Sequence, residues 1–218
     1  MACALGWACW KTYLGRPETD KARIAAMGQL GIGLYATRQV ADALSVQQAD
    51  LATLRRIGAT EPCILEVQCN LAITYEALGR FEAALRLKQD VYSGRLRLNG
   101  EEHRLTFLPA NNYAASLQGL SRFEEAKTLL RRTLPAAQRV LDESHEITLR
   151  MRMNYARALY KDDGATLDDL HEAATTFEDA ERIARRVLGG AHPMTLAIEE
   201  SLRYARAALR ARDTPGSA

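Results

Sequence analysis

The chain has 218 residues, of which 47 % are hydrophobic, 26 % charged and 6 % aromatic, and its formal net charge is +2. That length holds one or two ordinary domains of globular rather than disordered composition. So small a charge gives no field for nucleic acid or an anionic membrane, and the alanine- and leucine-rich mix suits close helix packing better than a β-sandwich.

Residues 1–17 open with MACALGWACWKTYLGR. The stretch is mildly apolar but has no basic region ahead of its apolar part, so it is a poor secretory signal. It reads as a poorly defined N-terminal segment: a short helix packed on the rest of the chain, or the remnant of an incomplete gene. Cysteines stand at 3, 9, 63 and 69 without the close spacing of a zinc knuckle. They read as reduced thiols of a cytoplasmic protein. No apolar run approaches the ~20 residues that a membrane span needs.

From about residue 20 the chain repeats itself. Asn70, Asn112 and Asn154 are spaced by 42 and 42, and each is followed two residues later by Ala72, Ala114 or Ala156. Leu65, Phe107 and Leu149 precede them at a constant offset, as do His103 and His145 in the second and third of these copies. A step of 41 backwards places Gly31 on Ala72, and a step of 47 forwards places His192 on His145. The five extra residues of the longer step fall in KDDGATLDD, where a loop tolerates them. The units run from about 20–60, 61–102, 103–144 and 145–191, with a capping helix over 192–211 and a disordered tail over 212–218.

Each unit reads as two helices. At about 100° per residue, Leu65, Ala72 and Tyr75 fall on one apolar stripe. A short turn, LGR or LSR, leads to a second helix opening on FEEA. Arg56, Arg97, Arg139 and Arg186 stand in the last turn, where a cation complements the helix dipole, and glycines near 58, 100 and 189 stop the helix. Pro135 predicts a kink or an early break. The recurring alanine keeps crossing helices close, and the recurring Phe or Leu of the second helix is expected to fill space against the neighbouring unit.

The texture N-x-A-x-x-[Y/L]-x-x-L-x-R-F-E-x-A resembles the tetratricopeptide repeat. The 42-residue period, with HEITL at 145–149 and HPMTL at 192–196, resembles the longer repeat of kinesin light chains. The resemblance covers roughly residues 20–210. It implies an all-α fold, a right-handed α-solenoid of stacked helix–turn–helix repeats over 18–211, with a concave groove that binds peptides or proteins. No sustained heptad run accompanies it, so attachment to a motor chain is not implied.

On the first helix of a unit the Asn lies about 140° from Leu65, away from the packed stripe. The stripe around it reads Glu66, Asn70, Ile73, Ala77, then Leu108, Asn112, Ala115, Gly119, then Arg150, Asn154, Arg157, Lys161. An amide pairs with an extended peptide backbone as a strand edge does. Asn70, Asn112 and Asn154, with Leu108 as an apolar anchor and Arg150, Arg157 and Lys161 favouring an acidic segment or a terminal carboxylate, therefore form the candidate peptide groove. The same Asn residues could instead cap or bridge helices, and the cations could form a solvated, ion-paired face.

Other motifs weaken on context. Three histidines at one offset lie on units about 10 Å apart, too far for one zinc ion, and opening the helix is their better role. GQLGIGLY at 28–35 sits mid-helix in the repeat register, so it is not a dinucleotide loop. DDGATLDD lacks the ligand spacing of a calcium loop. No catalytic order of residues emerges. The reading is a non-catalytic adaptor with no cofactor or metal, binding a protein or peptide. The alternative is a structural module that self-associates through the segment around Trp7 and Trp10.

Overall fold

The structure, a computed structural model, describes residues 2–213. The described residues form helices and no strand: α1 (Ala2–Tyr13), α2 (Lys21–Ala36), α3 (Val40–Arg56), α4 (Glu61–Ala77), α5 (Phe81–Asn99), α6 (Arg104–Gly119), α7 (Phe123–Leu141), α8 (Glu146–Lys161), α9 (Leu167–Leu188) and α10 (Pro193–Asp213). The chain divides into two compact units, 1–98 and 99–218. The expected tail begins inside α10, and its residues 214–218 lie outside the described residues.

The turns explain the hairpins. Arg38, Gly79 and Ser121 hold one position in successive repeats and have φ of 63°, 71° and 58°. In each, the next residue donates its N–H back across the turn: Gln39 to Leu34, Arg80 to Tyr75 and Arg122 to Leu117, at 2.8–2.9 Å. This is the Schellman closure, which satisfies the last carbonyls of one helix and starts the next. Between repeats the positive φ falls on Gly58, Gly100 and Gly189, with Asp142 (75°) in the third place.

Helix starts repeat as well. His103, His145 and His192 each accept at Nδ1 from the backbone N–H two residues on, at 3.1–3.2 Å. They are N-caps. The threonine three residues later latches the first turn to the preceding loop: Thr106 Oγ1 donates to the Gly100 carbonyl and Thr195 Oγ1 to that of Gly189. Where Asp142 replaces the glycine, Thr148 Oγ1 is buried without a partner.

Within the first unit α1 packs on α2, α2 on α3, α3 on α4, and α4 touches α2. Leu44, Leu51, Leu54, Val67 and Leu71 form its core, while Leu30, Leu34 and Ala43 pack under Trp10. Gly94 of α5 lies so close to Leu65 of α4 that a Cβ there would meet Leu65 Cδ2 at 2.7 Å. In the second unit α6 through α10 pack in succession, with α8 also touching α6 and α10.

Two sequence expectations are corrected. Helix α7 runs unbroken through Pro135 to Leu141, held by Leu130, Leu134, Ala136 and Ala137, which are buried on either side of the proline. The recurring Phe does not fill the interior, although Leu170, at the same register in the last repeat, is buried as expected. Phe81 is 51 % exposed and Phe123 half-buried, because each is the first residue of its helix, while Phe107 and Phe177 occupy the core.

One buried carboxylate stands out. Asp50 of α3 is 3 % exposed, and burial pushes its carboxyl up to about 6. The unfolded chain holds that proton only below about pH 4. Folding therefore loses stability as pH rises from about 4 to about 6, and the loss persists above. Asp50→Asn is expected to raise stability by on the order of 2 kcal/mol at pH 7.5, discounted for partial screening, and by little at pH 4. Urea denaturation at both pH values measures it, and an equal effect at both would contradict the assignment.

Candidate peptide-binding face

The candidate residues all stand on the first helices of their repeats. Asn70, on α4 in the first unit, is half-buried, with Glu66, Ile73 and Ala77 exposed along the same stripe. In the second unit α6 exposes Leu108, Ala115 and Gly119 and leaves Asn112 half-buried, so Leu108 is an apolar side chain in solvent.

Asn154 on α8 departs from the expected orientation. It is 6 % exposed and its Nδ2 donates to Asn111 Oδ1 at 2.9 Å, joining α8 to α6. Gln118 Nε2 donates to the Asn154 carbonyl at 2.8 Å. This Asn therefore bridges helices, as the alternative reading held. Its partner is the buried Asn111 and not Asn112, because side chains that meet between α6 and α8 are 43 residues apart while the repeat is 42. The doublet of amides at 111–112 is the signal that sequence reasoning overlooked.

The cations also separate. Arg150 is tied to Glu146 one turn earlier, with Nη2 to Oε1 at 2.7 Å. Among the described residues Arg157 and Lys161 form no ion pair, Arg157 reaching only Asn154 Oδ1 at 3.5 Å. Both line a cleft of about 460 Å³ between α8 and α10, with Tyr160, Glu200, Ser201 and Tyr204. Burial pushes the Tyr160 hydroxyl upward, with Arg157 acting against it. Tyr204 is 58 % exposed, and its hydroxyl donates to Glu200 at 3.4 Å. The cleft thus offers two free cations and two aromatic faces against one carboxylate already engaged by a hydroxyl. The tyrosines and α10 were missed in the sequence because they lie outside the Asn stripe.

Elsewhere the chemistry is sparse. Among the described residues no three His, Cys, Asp or Glu side chains could hold a metal ion, and no helix is long and apolar enough to cross a membrane. Cys9, Cys63 and Cys69 are free thiols, and burial pushes that of Cys69 upward.

These features define a class: an all-α protein built from helix–turn–helix repeats. The tetratricopeptide repeat family matches residues 64–105 and 110–146. A candidate kinesin light chain of Podosopora anserina, with nearly identical tetratricopeptide-like repeats, is 24 % identical with a TM-score of 0.72, covering 91 % of this chain and 90 % of its own. BtubC (BKLC) from P. vanneervenii is 14 % identical with a TM-score of 0.64, covering 100 % and 93 %. No curated protein matches. The family model thus matches two stretches of the chain, and the likeness to the solved structures shows an all-α repeat fold of the α-solenoid class.

The contrast between the asparagines is measurable. Asn154→Ala leaves Asn111 unpaired in the interior and should destabilise by about 1–3 kcal/mol. Asn112→Ala should stay within about 0.5 kcal/mol. Equal losses on chemical denaturation would remove the distinction.

Proposed function

We propose that the chain is a non-catalytic interaction scaffold that holds an extended segment of a partner protein on the first-helix faces of its repeats, the acidic part or terminal carboxylate of that segment lying at Arg157 and Lys161. The observation that carries this reading is the pair of cations in the α8–α10 cleft that form no ion pair among the described residues, with a single carboxylate, Glu200, beside them. A charge-assisted hydrogen bond contributes about 1.5–3 kcal/mol, so two give a strong share of the ~8 kcal/mol that micromolar binding requires. Tyr160, Tyr204 and Leu108 supply apolar area for the remainder. In the second unit Asn112 remains available to a peptide backbone, and Asn70 does so separately in the first, while Asn154 and Arg150 are engaged within the protein.

A decapeptide alternating Glu and Leu, with a free carboxyl end, tests it by calorimetry. Binding should weaken at least tenfold in Arg157→Glu/Lys161→Glu and as salt is raised, and should persist in Arg150→Ala. Binding indifferent to the double charge reversal would sink the reading.

A second reading has its own observation. Helix α1 exposes Leu5 and Trp7, and the turn after it Leu14; Leu5 and Cys9 line an apolar cleft of about 350 Å³ with Ile32 and Ala36 of α2. Such a patch suits self-association. Sedimentation should then show a dimer that Leu5→Glu/Trp7→Glu converts to monomer; a wild-type monomer at high concentration would dismiss it.

A further inference from the structure

The glycines of GQLGIGLY have separate jobs in the first unit. At Gly31 a Cβ would meet Gln47 Cγ at 2.9 Å, so the missing side chain is replaced by Gln47, whose Oε1 accepts from Thr74 Oγ1 at 2.7 Å. Gly28 is different. Among the described residues, the only heavy atom within 4 Å of a Cβ there, beyond its own helix backbone and chain neighbours, is Asp50 Oδ2 at 3.7 Å. Gly28 is itself half-exposed, so its missing side chain leaves an unfilled notch open to solvent with a carboxylate at its floor.

Asp50 has no partner to explain it. It is 3 % exposed and, among the described residues, makes no hydrogen bond or ion pair; burial alone acts on it. The other repeats serve as internal controls. At the position of Asp50 they carry Val91, Thr133 and Ala180, all buried, and Thr133 satisfies its hydroxyl on the Leu129 carbonyl. At the position of Gly28 they carry Cys69, Asn111 and Met153. Only the first repeat pairs a missing side chain with a buried anion. A packing position needs neither change, and an isolated buried carboxylate is unfavourable unless a cation or donors meet it.

We infer that the Gly28–Asp50 notch is a binding site for the cationic side chain, lysine or arginine, of a partner polypeptide, with the Asp50 carboxylate as its counter-ion. The slim stem of either residue passes the opening left at Gly28, and its charged end reaches Asp50 Oδ2. The inference rests on the reading of the chain as a partner-binding module and assigns the first unit a ligand of opposite charge to that of the α8–α10 cleft.

The test uses the full chain with 13C-labelled aspartate at pH 7.5, the Asp50 carboxyl resonance being assigned by its loss in Asp50→Asn. The probes are Nα-acetyl-lysine methylamide, its arginine counterpart and the neutral norleucine analogue, at matched ionic strength. A saturable shift of the Asp50 resonance with either cationic probe, and none with norleucine, is expected. Gly28→Ala places a methyl in ordinary contact distance of Oδ2 and improves helix propensity, so it should fold. It should still weaken the response about tenfold or more. No saturable shift with either cation, an equal shift with norleucine, or a full response in Gly28→Ala would overturn the site. Binding of the acidic decapeptide in Gly28→Ala and Asp50→Asn, measured in parallel, separates this failure from failure of the scaffold reading.

Discussion

The close approach of helix backbones is the constraint on which the rest of this molecule depends. Ala72, Ala114 and Ala156 on first helices and Ala43, Ala84, Ala126 and Ala173 on second helices are all fully buried. A side chain larger than a methyl at these points would push the axes apart, and the apolar stripes on either side would lose contact. A hairpin that cannot bury its stripe alone is stable only against its neighbours, so the alanines serve the stack more than the individual repeat. The positive-φ residues at 38, 79 and 121 serve the same end, since they return the chain so that the second helix packs back on the first.

Tight packing makes polar side chains in the interior conspicuous, and several have an identifiable accommodation. Asn154 is matched by Asn111, and Gln47 by Thr74 across the space that Gly31 vacates. Arg152 of α8 is 8 % exposed and pairs with Glu143 at 3.2 Å. Against these satisfied groups, Asp50 is unusual because it combines deep burial with no partner among the described residues and an adjacent opening.

Much of the fold was legible in the sequence because its determinants are local and recur. Turn glycines, histidine caps and small residues each act within a few positions of where they stand, so a 42-residue echo carries them faithfully. The opposite held where the outcome depends on which neighbour a side chain meets. Asn70, Asn112 and Asn154 share a register, yet the first two are half-buried and the third is buried, because only α8 faces an amide on α6 at the right height. Phe81 and Phe123 share a register too, but their place at the first turn of a helix leaves them partly in solvent. Pro135 is a strong local signal outweighed by apolar burial on both sides of it.

The same distinction governs charge. A row of cations along a stripe cannot tell a neutralised arginine from a free one. Arg150 has Glu146 four residues away on its own helix, which is visible in the sequence and pairs its charge in place. Arg157 has no acid at that spacing, and neither has Lys161. Their freedom follows from what α10 brings opposite them: Tyr160 of their own helix faces Tyr204, and Glu200 is engaged by that second tyrosine. Exposed ion pairs add little stability. Leaving these two cations unpaired therefore removes little from the fold, and under the proposed reading it keeps them available to an acidic segment.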